Sequence, residues 1–195
     1  MRRWRYLSGI VALVLALLGS HATGAQETAT PDDAAGSLAA SYLPPLESFG
    51  EGWTTLPVSG VSNLSTNVFQ EAAVGYYGGE DGARAMVMVF LITEARVATR
   101  QAWDEVSVRF DTLRYSLSAD SSREQELTTI PPPAGCEEVK RSEGADSFAF
   151  VTAITLCAGE DNVIVLTMVS GGDATALRYE AADNLASAAI ARGAA

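Results

Sequence analysis

The 195-residue chain carries 13 Lys and Arg against 24 Asp and Glu, a formal net charge of −11, with 48% hydrophobic residues. A surface this acidic repels nucleic acid and anionic lipid headgroups. The only histidine is His21 and the only lysine is Lys140, which excludes Ser-His-Asp and Cys-His catalysis and histidine-ligated metal sites beyond residue 21 and leaves covalent lysine chemistry a single residue.

The chain opens with Arg2, Arg3 and Arg5, then the apolar run IVALVLALL over residues 10–18, then the small residues Ser20, Ala22, Gly24 and Ala25. This three-part pattern predicts a secretory signal peptide over residues 1–25, cleaved after Ala22 or Ala25. The run is shorter than the roughly 20 apolar residues of a spanning helix. An uncleaved membrane tether is the alternative, and the Arg2-Arg3 pair also fits a twin-arginine signal. No cysteine lies near the cleavage region, so a bacterial lipoprotein anchor is excluded. Cleavage leaves ten basic residues against 24 acidic ones, a net charge of −14. The expected product is exported, secreted or held at the cell envelope, with no stable membrane insertion.

QETATPDDAAG, residues 26–36, is polar, small and proline-containing. A flexible spacer is predicted over 26–37 and a single α+β domain over 38–195. A helical turn over 37–42 stops at Pro44-Pro45. Strands are predicted over 53–58, 67–77 and 83–93, the last two joined by the turn GGEDG. Residues 86–92, MVMVFLI, are apolar at every position, which implies burial on both faces of a sheet. Thr99 is placed to cap a helix running to about residue 117, whose Trp103, Val106, Phe110, Leu113 and Leu117 form one apolar stripe. Residues 118–123 read as a polar loop, and Pro131-Pro132-Pro133 stiffens the approach to the next strand.

Residues 136–141 are polar enough for an edge strand. Residues 148–157 alternate, with Phe148, Phe150, Ile154 and Leu156 on one face and Ala149, Val151, Ala153 and Cys157 on the other. GEDN, residues 159–162, makes a tight turn into a two-faced apolar strand over 163–169. Asp173 caps a last helix, whose slim stripe is Leu177, Ala181, Leu185 and Ala188. The fold class is therefore α+β: a mostly antiparallel sheet of about six strands packed by two long helices, in the order βββα-βββα. Shifting the sequence by 76 residues aligns residues 86–103 with 162–179 and raises the alternative of an internal duplication. GGEDG and GEDN lack the Asp-x-Asp-x-Asn spacing of a calcium loop, and no metal or cofactor is expected.

Cys136 and Cys157 are the only cysteines. In an exported chain they form, most simply, one disulfide; two buried thiols are the alternative. A tight turn at Gly144-Ala145 would set Cys136 opposite Ala153, so pairing needs either a turn centred near 146–147 or a β-bulge.

YLPPLESFGEGW, residues 42–53, resembles the leucine-proline then Gly-Trp entry of many exported actinobacterial proteins. The later pattern of antiparallel strands, two helices and cysteines in the final meander is similar to PknH-type extracellular sensor domains and to PsbP-like α/β sandwiches. The resemblance implies extracellular sensing or ligand capture in a cleft, and no catalytic residue of that family maps onto this chain. The expected function is an exported, non-enzymatic binding or sensor-like module. Its partner would be a small apolar ligand held by Phe90, Trp103, Phe110 and Phe150, or else an envelope protein, the chain then being a structural or interaction component.

Overall fold

The computed structural model describes residues 37–56, 60–62, 68–79, 82–92, 96–117, 121–145, 150–160, 162–171 and 178–193. The predicted signal peptide, and the spacer up to residue 36, lie outside them. The order is α1 (Leu38–Ser41), a 3-10 turn (Leu46–Phe49), β1 (Thr54–Thr55), β2 (Gly60–Ser62), β3 (Phe69–Gly78), β4 (Arg84–Ile92), α2 (Arg96–Tyr115), α3 (Ser121–Thr129), β5 (Cys136–Ala145), β6 (Val151–Gly159), β7 (Val163–Gly171) and α4 (Arg178–Gly193). The α+β class holds, as one antiparallel sheet in the order β1-β3-β4-β7-β6-β5, with β2 pairing β3 farther along the β1 edge. Two meanders thus meet at β4 and β7, in a register that sets Met88 opposite Leu166 and Val89 opposite Val165.

Both central strands are apolar on both faces, and each face is covered by a helix. On one face Ala102, Trp103, Val106, Phe110 and Leu113 of α2 pack with Met86, Met88, Phe90, Ile92, Ile154, Leu156, Ile164 and Leu166. On the other, Ala182, Leu185, Ala186 and Ala189 of α4 and Ala39 and Tyr42 near α1 pack with Val87, Val89, Leu91, Ala153, Cys157, Val163 and Val165. The even–odd alternation along each strand sorts the residues between the two layers. A bulge between Phe69 and Glu71 lets Phe69 join Ala72 on the α2 side although their numbers differ in parity.

Opposite-face helices also bear on the duplication. A shift of 76 is even and carries Met88 onto Ile164, both on the α2 face. A duplicated unit in that register would send both helices to the same face, whereas α2 and α4 go to opposite ones.

Two further elements depart from expectation. Residues 121–123 of the stretch read as a polar loop are the first turn of α3, and residues 118–120 lie outside the described residues, so the helices are not simply two long ones. Helix α3 buries one large apolar residue, Leu127, and therefore has no apolar period to read. It is tied by ion pairs from Arg114 to Glu124 at 2.6 Å and from Arg123 to Glu126 and Glu143 at 2.6 and 3.2 Å, and it lies along the outer edge strand β5. Helix α2 begins three residues before Thr99, and its whole predicted stripe faces the core.

The entry segment is pinned at both ends. The Ser37 side chain accepts from the Ala40 N–H at 3.1 Å, and the Ala39 N–H donates to Glu71 Oε2 at 3.1 Å, which satisfies donors that the short helix leaves open. Arg192 Nε donates to the Ser41 carbonyl at 2.9 Å, joining this segment to the end of α4. Tyr77 stacks on Phe49 with centroids 4.1 Å apart, Phe49 lies 5.2 Å from Trp53, and the Tyr77 hydroxyl donates to the Pro44 carbonyl at 3.1 Å. The aromatic residues of 42–53 therefore seal one end of the α4 layer.

Cys136 and Cys157 form a disulfide with their Cα atoms 5.6 Å apart. Ala145 pairs with Val151 and Val139 with Cys157, which centres the hairpin on residue 148. A shift between Cys136 and Glu138 then sets Cys136 opposite Gly159. This bulge, one of the two devices foreseen, turns Cys136 onto the α4 face beside Cys157. Gly135 has φ +83°, and a Cβ there would stand 3.0 Å from Ile190 Cγ2 of α4, so the bulge and the disulfide seat the end of that helix.

Two tests follow from this architecture. Replacing both cysteines, Cys136→Ser with Cys157→Ser, should lower the urea-unfolding free energy by about 3 kcal/mol, the loop-entropy value for so short a closure, with β5 amides exchanging first. Burial pushes the Tyr77 hydroxyl pKa up to about 12, opposed in part by Arg192. The folded state therefore holds its proton above the usual tyrosine range; this contribution is complete below pH 10 and disappears as pH rises through about 12. Chemical denaturation across that window should show an alkaline loss approaching about 2 kcal/mol, smaller in Tyr77→Phe.

Candidate functional site

The four residues expected to line an apolar cleft part company. Phe90, Trp103 and Phe110 do converge, from β4 and α2, but at 0, 4 and 3% exposure they are packed members of the α2-side core. The Phe90 ring meets Phe69, with centroids 5.5 Å apart. Phe150 was expected on a central strand. It precedes the first residue of β6 and stands 43% exposed. The alternation assigned to its strand is sound from residue 151 onward, but the chain leaves the sheet before reaching Phe150.

The polar chemistry gathers on the opposite face, at residues that carry no local motif. Arg141 on β5 points inward with its side chain 2% exposed, and meets Asp183 of α4, 11% exposed. Its Nε lies 3.0 and 2.9 Å from the two carboxylate oxygens, and its Nη2 lies 2.8 Å from Oδ2. The rest of the guanidinium turns outward along the sheet edge. Nη1 donates to the carbonyls of Ile130 and Leu127 at 2.9 and 3.4 Å, and Nη2 to that of Pro131 at 2.7 Å. One side chain thus caps the C-terminal end of α3 and holds the start of the proline run.

Asp183 Oδ1 also accepts from the Thr155 hydroxyl of β6 at 2.8 Å, and the Thr167 hydroxyl of β7 donates to the Ala182 carbonyl at 2.9 Å. Such a bond needs the helix close to the sheet, which the alanines of α4 permit. The same inward Asp183 explains why the buried stripe of α4 runs through Ala182, Leu185, Ala186 and Ala189, one position round from the expected Ala181 and Ala188. Beside it, Glu143 accepts from the Tyr179 N–H at 2.9 Å, in the first turn of α4, and from Arg123 Nε at 3.2 Å. The Arg123 guanidinium lies over the Tyr179 ring at 5.2 Å.

On the α2 side of β5, Arg114 grips Glu124 in a two-point pair at 2.6 and 2.7 Å, and the buried Ser142 hydroxyl lies 3.4 Å from the same carboxylate. The Arg114 hydrogen bond holds the Glu124 carboxyl below its usual range, against the opposing effect of burial. Each of these carboxylates is bonded to a guanidinium, so the clusters act chemically as clamps on β5, α3 and α4, with the buried Nη2 of Arg123 left without a hydrogen-bond partner among the described residues. The outer surface differs in character. Val108 and Tyr115, two turns apart on one stripe of α2, are 66 and 82% exposed, and Leu38, Leu46 and Phe150 are also accessible.

Among the described residues no helix is long and apolar enough to cross a membrane. The fold is a helix–sheet–helix sandwich with one helix layer on each face. No protein-family model matches the chain, and comparison with curated proteins and with solved structures returned no match.

Breaking the buried pair exposes its weight. Arg141→Ala leaves Asp183 desolvated and uncompensated, and should cost about 3–5 kcal/mol in urea unfolding. Arg141→Lys should recover only part of this, since an ammonium cannot reach the carboxylate and three carbonyls with one planar fork. Hydrogen exchange should locate the loss in α3 and β5; unchanged protection there would refute the clamp.

Proposed function

We propose that the chain is an exported, non-enzymatic binding module, sensor-like in the sense its outline resemblance implies, that works through its outer surface as an interaction component of the cell envelope. The observation that carries this reading is the placement of α2 and α4 on opposite faces of the sheet. The strands that are apolar on both faces are covered by the chain's own helices, and Phe90, Trp103 and Phe110 are spent on that covering. Contact chemistry is then left to exposed groups.

Three other features support the reading. The Cys136–Cys157 disulfide and the lack of a membrane-spanning helix among the described residues are compatible with an exported protein. The N-terminal residues read as a leader and a polar spacer. No histidine follows His21, and the buried Asp183 and the partly buried Glu143 and Glu124 are bound by arginines of the same domain. Capture of a small apolar ligand is the second reading, and would require the packed α2 layer to open.

Native mass spectrometry of protein purified from its own host separates the two. The expected spectrum is an unloaded chain, with tryptophan fluorescence insensitive to a panel of added lipids, because Trp103 is already surrounded by protein. A co-purifying apolar mass, or fluorescence quenched by lipid, would overturn the interaction reading in favour of capture.

A further inference from the structure

Residues 130–134, Ile-Pro-Pro-Pro-Ala, lie between α3 and β5 outside any helix or strand. Proline fixes its own φ near −65° and drives the residue before it out of the helical region. Ile130, Pro131 and Pro132 each precede a proline, so three successive residues are held in extended, polyproline II backbone. Both ends of the segment are fastened. Arg141, buried and bonded to Asp183, donates to the carbonyls of Ile130 and Pro131, and the Cys136 N–H donates to the Pro133 carbonyl at 3.0 Å beside the disulfide. The inward carbonyls are therefore anchored, while Pro131 and Pro132 are exposed and Pro133 is half-buried. One proline would end α3; three in a row, with two in solvent, make a rigid ridge.

We infer that residues 130–134 are a preorganised polyproline II ligand, displayed by the domain to a partner protein whose groove has an aromatic floor. Proline rings on such a helix dock between aromatic side chains, and the ordering entropy a flexible peptide would lose is here already lost on folding. The carboxylates of Glu126 and Glu138 set no charge requirement on the partner, since Glu126 is paired with Arg123 at 2.6 Å and Glu138 with Arg100 at 3.7 Å. The exposed Val108 and Tyr115 of α2 offer apolar area, but nothing in the structure says what covers them.

The inference rests on the interaction reading of the chain, and its test is independent of the lipid experiment. Isotope-labelled full-length mature protein is titrated with three polyproline-binding probes: an isolated SH3 domain, a WW domain and profilin. At least one should bind with a dissociation constant below about 1 mM. Its amide shifts should centre on Ile130, Ala134, Gly135 and Glu137. Pro132→Ala, at an exposed position, should leave near-ultraviolet circular dichroism unchanged and weaken binding about five-fold or more, as loss of a docking ring should. No shifts from any probe, shifts centred on α2 instead, or unaltered binding by Pro132→Ala would each overturn the inference. A lipid-loaded chain would instead remove the broader reading on which it rests.

Discussion

Strands β4 and β7 lie side by side at the middle of the sheet, and both bury apolar side chains on both faces. That constraint organises the rest of the molecule. A strand buried on both sides needs a layer on each, and a chain of this length supplies them by sending α2 to one face and α4 to the other. The outer strands are relieved of the requirement. Strand β5, at one edge, can carry Glu137, Glu138, Lys140 and Arg141, and the β1 and β2 edge is divided into two short pieces. Charged residues and short segments at an edge are also what keeps a sheet from pairing with a neighbour.

The edge at β5 raises a second problem, which Arg141 solves. A helix as polar as α3 gains little from burial, and its C-terminal carbonyls need partners. Arg141 supplies them while its other donors engage Asp183 beneath α4. The pair is costly to desolvate and is retained with almost every bonding direction used. It joins an edge strand, an isolated helix, a proline segment and the opposite helix layer through a single planar group. Near it the disulfide closes the start of the same strand, and Ile190 rests in the space that Gly135 leaves open. The proline ridge owes its rigidity to these neighbours as much as to its own rings.

The proposed function follows from what the packing leaves over. Three of the four aromatic groups expected to hold a ligand, Phe90, Trp103 and Phe110, are packed in the α2-side core, and the ion pairs of Arg114, Arg123 and Arg141 hold α3 and α4. The groups exposed on the outside include the proline segment, whose Ile130, Pro131 and Pro133 carbonyls are held by Arg141 and the Cys136 N–H.

How much of this could be read in advance depends on how far each feature reaches along the chain. Alternation and runs of apolar residues are local, and they placed β3, β4, β6 and β7; steps of three and four placed the core-facing stripe of α2. The disulfide was legible because a chain read as exported, with two cysteines, has one simple pairing, and the hairpin register called for either a shifted turn or a bulge. Helix α3 was hidden because ion pairs to residues 10 and 20 positions away leave no period. The rotation of α4 was hidden because it answers to Arg141, 42 residues earlier. The sequence by itself determined which segments are strands, which face of α2 is apolar, and that the central strands must be covered twice. Only the tertiary structure decided that the two helices take opposite faces, that Arg141 meets Asp183, and that Phe150 falls outside the core, because those outcomes depend on which distant surfaces are brought together, and no local pattern encodes that.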